Sequence, residues 1–179
     1  MPDVDTNAPA ALRVRELTAA DLADMAGWTY SGPWAVYDSD GPLNPALGYW
    51  AVVRAAGVAG DAGDVGDAEQ LIGFACLGED ARVPGLVAVD AVLDVGVGLR
   101  PELVGQGLGP AYANAVLDFA AARGATTVRA VVQDWNTRSL RLCDRLGFVR
   151  TGTHDVGDVT YVVLQRSVAA TPTAPVVDY

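Results

Sequence analysis

Three glycines alternate at Gly105, Gly107 and Gly109 in the segment LRPELVGQGLGP, with strand-forming residues before it and a helical pattern after it. Alternating glycines let a backbone bend so that successive N–H groups turn inward around an anion. A helix starting there adds the positive end of its dipole, and Pro110 suits the first turn because no donor is needed from it. The junction predicts a phosphate or pyrophosphate cradle built from main chain; taken alone, it also fits a tight strand-to-helix turn. A fingerprint of the form GxGxxG fails, because counting from Gly105 its last position holds Pro110. A phosphate loop that relies on lysine fails too, since all 12 Lys+Arg positions are arginine.

The remaining pattern gives the order β-α-β-β-β-α-β-α-β-β. A strand at 11–16 leads to Thr18, an N-cap with Asp21 in the capping-box position, and to a helix with Leu22, Met25 and Ala26 on its apolar face. Strands at 49–54 and 70–77 read as a hairpin around the soft connector AAGVAGDAGDVGDAE. A fourth strand at 88–100 contains Gly96 and Gly98, which imply a bulge or a close approach by another backbone or a ligand. The helix after the glycine loop aligns Leu108, Tyr112, Val116 and Phe119, and Gly124 stops it. A strand at 127–132, a helix at 136–146 and a hairpin of 148–153 with 159–165 complete a single domain over 11–166. Residues 1–10 and 167–179 read as loose termini.

Composition narrows the function. At 179 residues, 51% hydrophobic and 19% charged, the chain can bury a sizeable core. Its formal charge of −10 repels phosphate backbones, which argues against nucleic-acid or polybasic membrane binding and favours cationic partners. No apolar run nears the ~20 residues of a membrane span, and the start MPDVDTNAPA lacks a signal-peptide pattern, so a cytoplasmic protein is expected. With only Cys76, Cys143 and His154 among soft ligands, no metal is expected.

A second motif, NTRSLRLCDRLGF, runs from Asn136 to Phe148. The two segments together resemble the GNAT superfamily of acetyl-CoA-dependent N-acetyltransferases. The pattern (Arg/Gln)-x-x-Gly-x-(Gly/Ala) falls on Val104 to Gly109, and Asn-x-x-(Ala/Ser)-x-x-x-Tyr-x-x-x-Gly-Phe on Asn136 to Phe148. The resemblance implies an α/β domain with a mixed, mostly antiparallel sheet, flanked by helices, whose fourth and fifth strands splay apart. It further implies acetyl-CoA as cosubstrate and direct acetyl transfer to a primary amine in a ternary complex, the acceptor being a small molecule, peptide or protein N-terminus. Homodimers are common among such proteins. The rival reading is a coenzyme-binding module without turnover.

By the same resemblance, Leu99 and Arg100 end the splayed strand that holds the pantetheine arm. Val104, Gly105, Gln106, Gly107, Leu108, Gly109 and Pro110 form the pyrophosphate loop, Asn136 reaches the coenzyme, and Arg138 meets the adenosine 3′-phosphate. Two positions depart from the pattern. Val104 replaces Arg or Gln, and Cys143 stands where many members carry the tyrosine that protonates the departing thiolate. Cys143 reads as core filler, general acid or sulfur contact, with Tyr112 or Tyr161 as other proton sources.

On the acceptor side, freeing an amine of lysine type at pH 7 costs about 4.6 kcal/mol, which calls for a base. Asp94 is the first choice because it sits mid-strand, followed by Glu79 and Asp90. Trp28, Tyr30, Trp34 and Tyr37 cluster in an irregular stretch and suit an acceptor wall, for a cation or an apolar side chain.

Overall fold

The computed structural model describes residues 11–38, 43–54 and 69–168. The elements are β1 (Leu12–Glu16), α1 (Ala19–Met25), β2 (Tyr49–Arg54), β3 (Gln70–Leu77), β4 (Val92–Leu99), α2 (Gly109–Ala122), β5 (Thr127–Gln133), α3 (Thr137–Arg145), β6 (Val149–Val156) and β7 (Val159–Ser167). Thr18 and Asp21 form the expected capping box on α1, each taking the other's backbone N–H. The sheet has seven strands in the order β1-β2-β3-β4-β5-β7-β6, and β4–β5 is its parallel pair.

Strand alternation sorts the core onto two faces. Val52, Ile72, Ala75, Val95 and Val128 meet Tyr112, Val116, Leu117 and Ala120 of α2. The opposite parity of β2, Ala51 and Val53, packs with Leu71 against Met25 of α1. On the α2 side, Leu140 and Cys143 of α3 pack on Val162 and Leu164 of β7. One layer thus holds α1, and the other holds α2 and α3. Ile72 is the extra residue of a bulge, because Val52 pairs with Gly73 and Val53 with Leu71.

Several boundaries differ from the sequence reading. β4 begins at Val92 rather than near 88, and residues 78–91 form a loop containing a 3-10 turn at Glu79–Ala81. Arg129 holds that loop by donating from Nη2 to the Val87 carbonyl at 2.9 Å, and His154 Nε2 lies 2.9 Å from the Pro84 carbonyl. Gly96 and Gly98 mark no bulge, since β4 keeps an unbroken register with β3. At Gly98 the protein itself approaches, since the Phe74 ring fills the space a Cβ would need, whereas at Gly96 the nearest atom, Ala81 Cβ, lies at an ordinary contact distance of 3.7 Å. β7 runs to Ser167, and Val168 N–H donates to the Thr126 carbonyl at 2.9 Å, so these two residues belong to the fold. The soft connector at 55–68 and the termini at 1–10 and 169–179 lie outside the described residues. Among the described residues no helix is long and apolar enough to cross a membrane.

Candidate active site

The parallel pairing of β4 with β5 covers only Val92↔Thr127, Leu93↔Val128 and Asp94↔Arg129. Beyond that point the two strands part, while β4 stays bonded to β3 on its other side. Arg100 N–H donates to the Ile72 carbonyl at 2.8 Å, and Gly78 N–H to the Asp94 carbonyl at 2.8 Å. Even-numbered residues of β4 therefore face β3, and by strand alternation the N–H and C=O of Val97 and Leu99 face the gap. A gap edged by unpaired main chain suits an extended ligand that carries amides of its own, much as a peptide adds to a sheet edge.

A strap crosses this gap on the α1 side. The Tyr30 hydroxyl donates to the Leu99 carbonyl at 2.7 Å, which ties the strap to β4. The strap continues through a 3-10 turn at Gly32–Tyr37 and closes on itself where Tyr30 N–H donates to Asp38 Oδ1 at 2.7 Å. At its far end Asn136 Nδ2 donates to the Tyr37 hydroxyl at 3.0 Å. Trp34 and Tyr37 pack on Trp135 with ring centroids 6.0 and 6.2 Å away. The four aromatics thus divide: Trp28 and Tyr30 stand at β4, and Trp34 and Tyr37 stand at the β5–α3 junction. Trp135 completes the second group. No strand or helix periodicity singles it out, and its only signal is an aromatic next to the Asn136 motif.

The glycine loop forms as the backbone requires. Gly105 and Gly107 have φ of +86° and +81°, a region that other residues enter only with strain. Gln106 Nε2 donates to the Glu102 carbonyl at 2.7 Å and braces the turn. α2 starts with Leu108 at its N-cap, no side-chain cap and Pro110 in its first turn. Its first N–H groups are left without a side-chain acceptor, at the positive end of the helix. Leu142 of α3 comes within 3.4 Å of the space beside Gly109, so α2 and α3 meet at this loop.

The remaining candidates are placed as follows. Asn136 is 5% exposed; its Oδ1 accepts from Ser139 N–H at 3.2 Å and caps α3, while Nδ2 serves Tyr37. Asp94 is 4% exposed and faces Arg129, which donates from Nε at 2.6 Å and from Nη2 at 3.1 Å. Arg82 adds a second guanidinium 3.5 Å from Asp94. Glu79 and Asp90 are exposed on the β3–β4 loop.

Cys143 is buried in the α3–β7 core, and burial, then the Asp144 carboxylate, push its thiol up to about 11. Tyr112 is fully buried, its hydroxyl donating toward the carbonyls of Phe74 and Gly98, and burial raises its pKa well above the ordinary phenol value. Tyr161 accepts from Gln133 Nε2 at 3.4 Å on the β5 side. Arg138 lies with its guanidinium carbon 4.5 Å from the Trp34 ring centroid. Among the described residues no cluster of His, Cys, Asp and Glu could hold a metal.

A sheet split between β4 and β5, a glycine loop leading into α2 and an aromatic strap across the gap define the fold class of the chain as that of an α/β acetyltransferase-like domain. The chain belongs to the GNAT acetyltransferase family: the model of the Acetyltransferase (GNAT) family matches residues 20–148. No curated protein matches it in sequence. Among solved structures it is similar to an acetyltransferase (GNAT family) from Bacillus anthracis, with 14% identity, a TM-score of 0.64, and 89% of this chain and 96% of that one covered. It is also similar to the aminoglycoside acetyltransferase AAC(6')-Ib in complex with coenzyme A, at 17% identity and a TM-score of 0.60, covering 88% and 95%. A third, yncA from Salmonella typhimurium with its cofactor acetyl-CoA, has 19% identity and a TM-score of 0.56, covering 93% and 99%. At these identities the likeness concerns the fold.

Proposed function

We propose that this protein transfers an acetyl group from acetyl-CoA to a primary amine. The observation that carries the reading is the gap after Asp94 and Arg129, where the N–H and C=O of Val97 and the N–H of Leu99 are left outside the sheet pairing, next to the uncapped start of α2. Pantetheine carries two amides and would lie along β4, with its pyrophosphate on the loop from Val104 to Pro110 and Arg100 closing the strand end. The complexes of AAC(6')-Ib with coenzyme A and of yncA with acetyl-CoA support this choice of donor.

The amine nitrogen attacks the thioester carbon, an N–C bond forms, the C–S bond breaks, and the departing thiolate takes a proton. In this reading Leu99 N–H, on the gap side of β4 by strand alternation, meets the oxyanion. Tyr30 is our donor of that last proton, because its hydroxyl reaches the gap edge of β4 whereas Cys143 and Tyr112 are enclosed in cores. Burial first, then the acids Asp38 and Glu102, push Tyr30 up to about 12, so it holds its proton throughout the neutral range. The proton released by the amine leaves through water or an exposed carboxylate such as Glu79, Asp94 being engaged by Arg129.

The buried Cys143 favours one second reading, a coenzyme-binding module without turnover. Thermal unfolding with acetyl-CoA, followed by thiol release with an amine panel, separates the two. Ligand at ~100 times its Kd adds about 2.7 kcal/mol, a rise of several degrees. Stabilisation with thiol release supports the transferase; stabilisation without release from any amine supports the module; no stabilisation defeats both.

A further inference from the structure

The tryptophans expected to offer open faces to a cationic acceptor already carry the protein's own cations. The Arg138 guanidinium lies 4.5 Å from the Trp34 ring centroid, and that of Arg100 lies 5.2 Å from the ring of Trp28. A guanidinium stacked on a ring covers its face and repels a second cation, yet its N–H donors point outward in its own plane. Arg100 uses those donors, from Nε to the Leu71 carbonyl at 3.0 Å and from Nη2 to Asp24. Arg138 makes no hydrogen bond and no ion pair among the described residues, in a chain with 22 Asp+Glu. It is exposed to solvent but not loosely held. The ring beneath it is packed on Trp135, and Tyr37 of the same turn is fixed by Asn136 at 3.0 Å.

We infer that Arg138 seats an oxyanion of the acceptor, so that the substrate is an amine that also carries a carboxylate or a comparable oxyanion. This rests on the transferase reading above and names the substrate class for it. Arg138, in the first turn of α3, lies against Trp34 of the strap that crosses the gap, the side from which an acceptor would approach the thioester in the proposed reading. A planar fork backed by a ring is already oriented, so an oxyanion gains its two hydrogen bonds with little side-chain ordering. The same chemistry could come from the coenzyme, through its 3′-phosphate, and the experiment separates the two sources.

Thiol release from acetyl-CoA is measured for matched pairs, such as phenylalanine with 2-phenylethylamine, at equal concentrations of free amine. The carboxylate-bearing member should lead in kcat/KM by roughly tenfold to a hundredfold, the range of a charge-assisted contact. In R138Q that ratio collapses, through a higher KM for the amino acid. A wild-type panel in which carboxylates confer no advantage overturns the inference, whatever the variant does. So does an R138Q defect confined to the KM of acetyl-CoA and absent with 3′-dephospho-acetyl-CoA, which would give Arg138 to the coenzyme. A protein that acetyl-CoA does not stabilise fails the transferase reading itself, a separate result from one that binds the coenzyme and ignores the carboxylate.

Discussion

Arg129 and Asp94 are each almost without solvent, at 3% and 4% exposure, so removing Arg129 leaves Asp94 buried with only the longer contact to Arg82, at 3.5 Å, and the Val87 carbonyl without its donor. R129M should cost about 3–5 kcal/mol in denaturant unfolding, and the double variant R129M/D94L should recover most of that loss. If D94N instead abolished turnover with its unfolding midpoint intact, Asp94 would be a base after all. Asp21 offers a pH test. Burial alone would raise its carboxyl, but hydrogen bonds from Arg15 and from Thr18 outweigh that and hold it at about 2. A depressed pKa stabilises the fold above the unfolded value near ~3.9 and loses that contribution as pH falls toward the folded one. Melting temperatures of wild type and D21N should therefore converge between about pH 4 and pH 2. The sequence announces Asp21 through its spacing from Thr18. It announces Asp94 only as an odd acid in a strand, because Arg129 joins it through a parallel pairing that local pattern does not reveal.

Turns and termini were more legible than the contacts they bring about. The glycines that stop α2 and α3, Gly124 and Gly147, have φ of +91° and +77°, as a C-terminal stop requires. The alternation in VAVDAV, by contrast, reads as strand four residues too early, because the ties from Arg129 and His154 that hold the loop over the sheet come from distant strands. The strap's bonds to Leu99 and Asn136 were equally out of reach, since an irregular segment has no period from which a partner can be read. For the anion loop, G107A should weaken acetyl-CoA binding several-fold while costing about 1 kcal/mol of stability. The Cβ has open space, but φ of +81° strains any L residue. Isothermal titration and melting measure the two effects apart, and unchanged affinity would remove Gly107 from the binding loop. Y30F should lower kcat at least tenfold, and less so with a thioester whose thiol is more acidic; equal losses with both donors would make Tyr30 a brace only.

Across the whole molecule, a seven-stranded sheet is joined in its middle by three residue pairs. Amide hydrogen exchange should report this directly. Val97 and Leu99, central in the sheet, should exchange fast in the free protein and slow markedly with acetyl-CoA, whereas Ile72 and Val128, fully buried in the core, should be slow in both. Uniform protection without ligand would mean the gap is closed in solution. The family's fold was legible through the resemblance that the segments 104–109 and 136–148 carry, while the division of labour between the two lips of the gap was not. That division has an evolutionary side. The inner edge of β4 offers N–H and C=O groups, which every residue except proline supplies alike, so in the proposed reading the coenzyme's seat survives most replacements at Val97 and Leu99. The strap across it is built of side chains and changes with each substitution. Inheritance can therefore keep the donor constant for free and try new acceptors one aromatic or one arginine at a time.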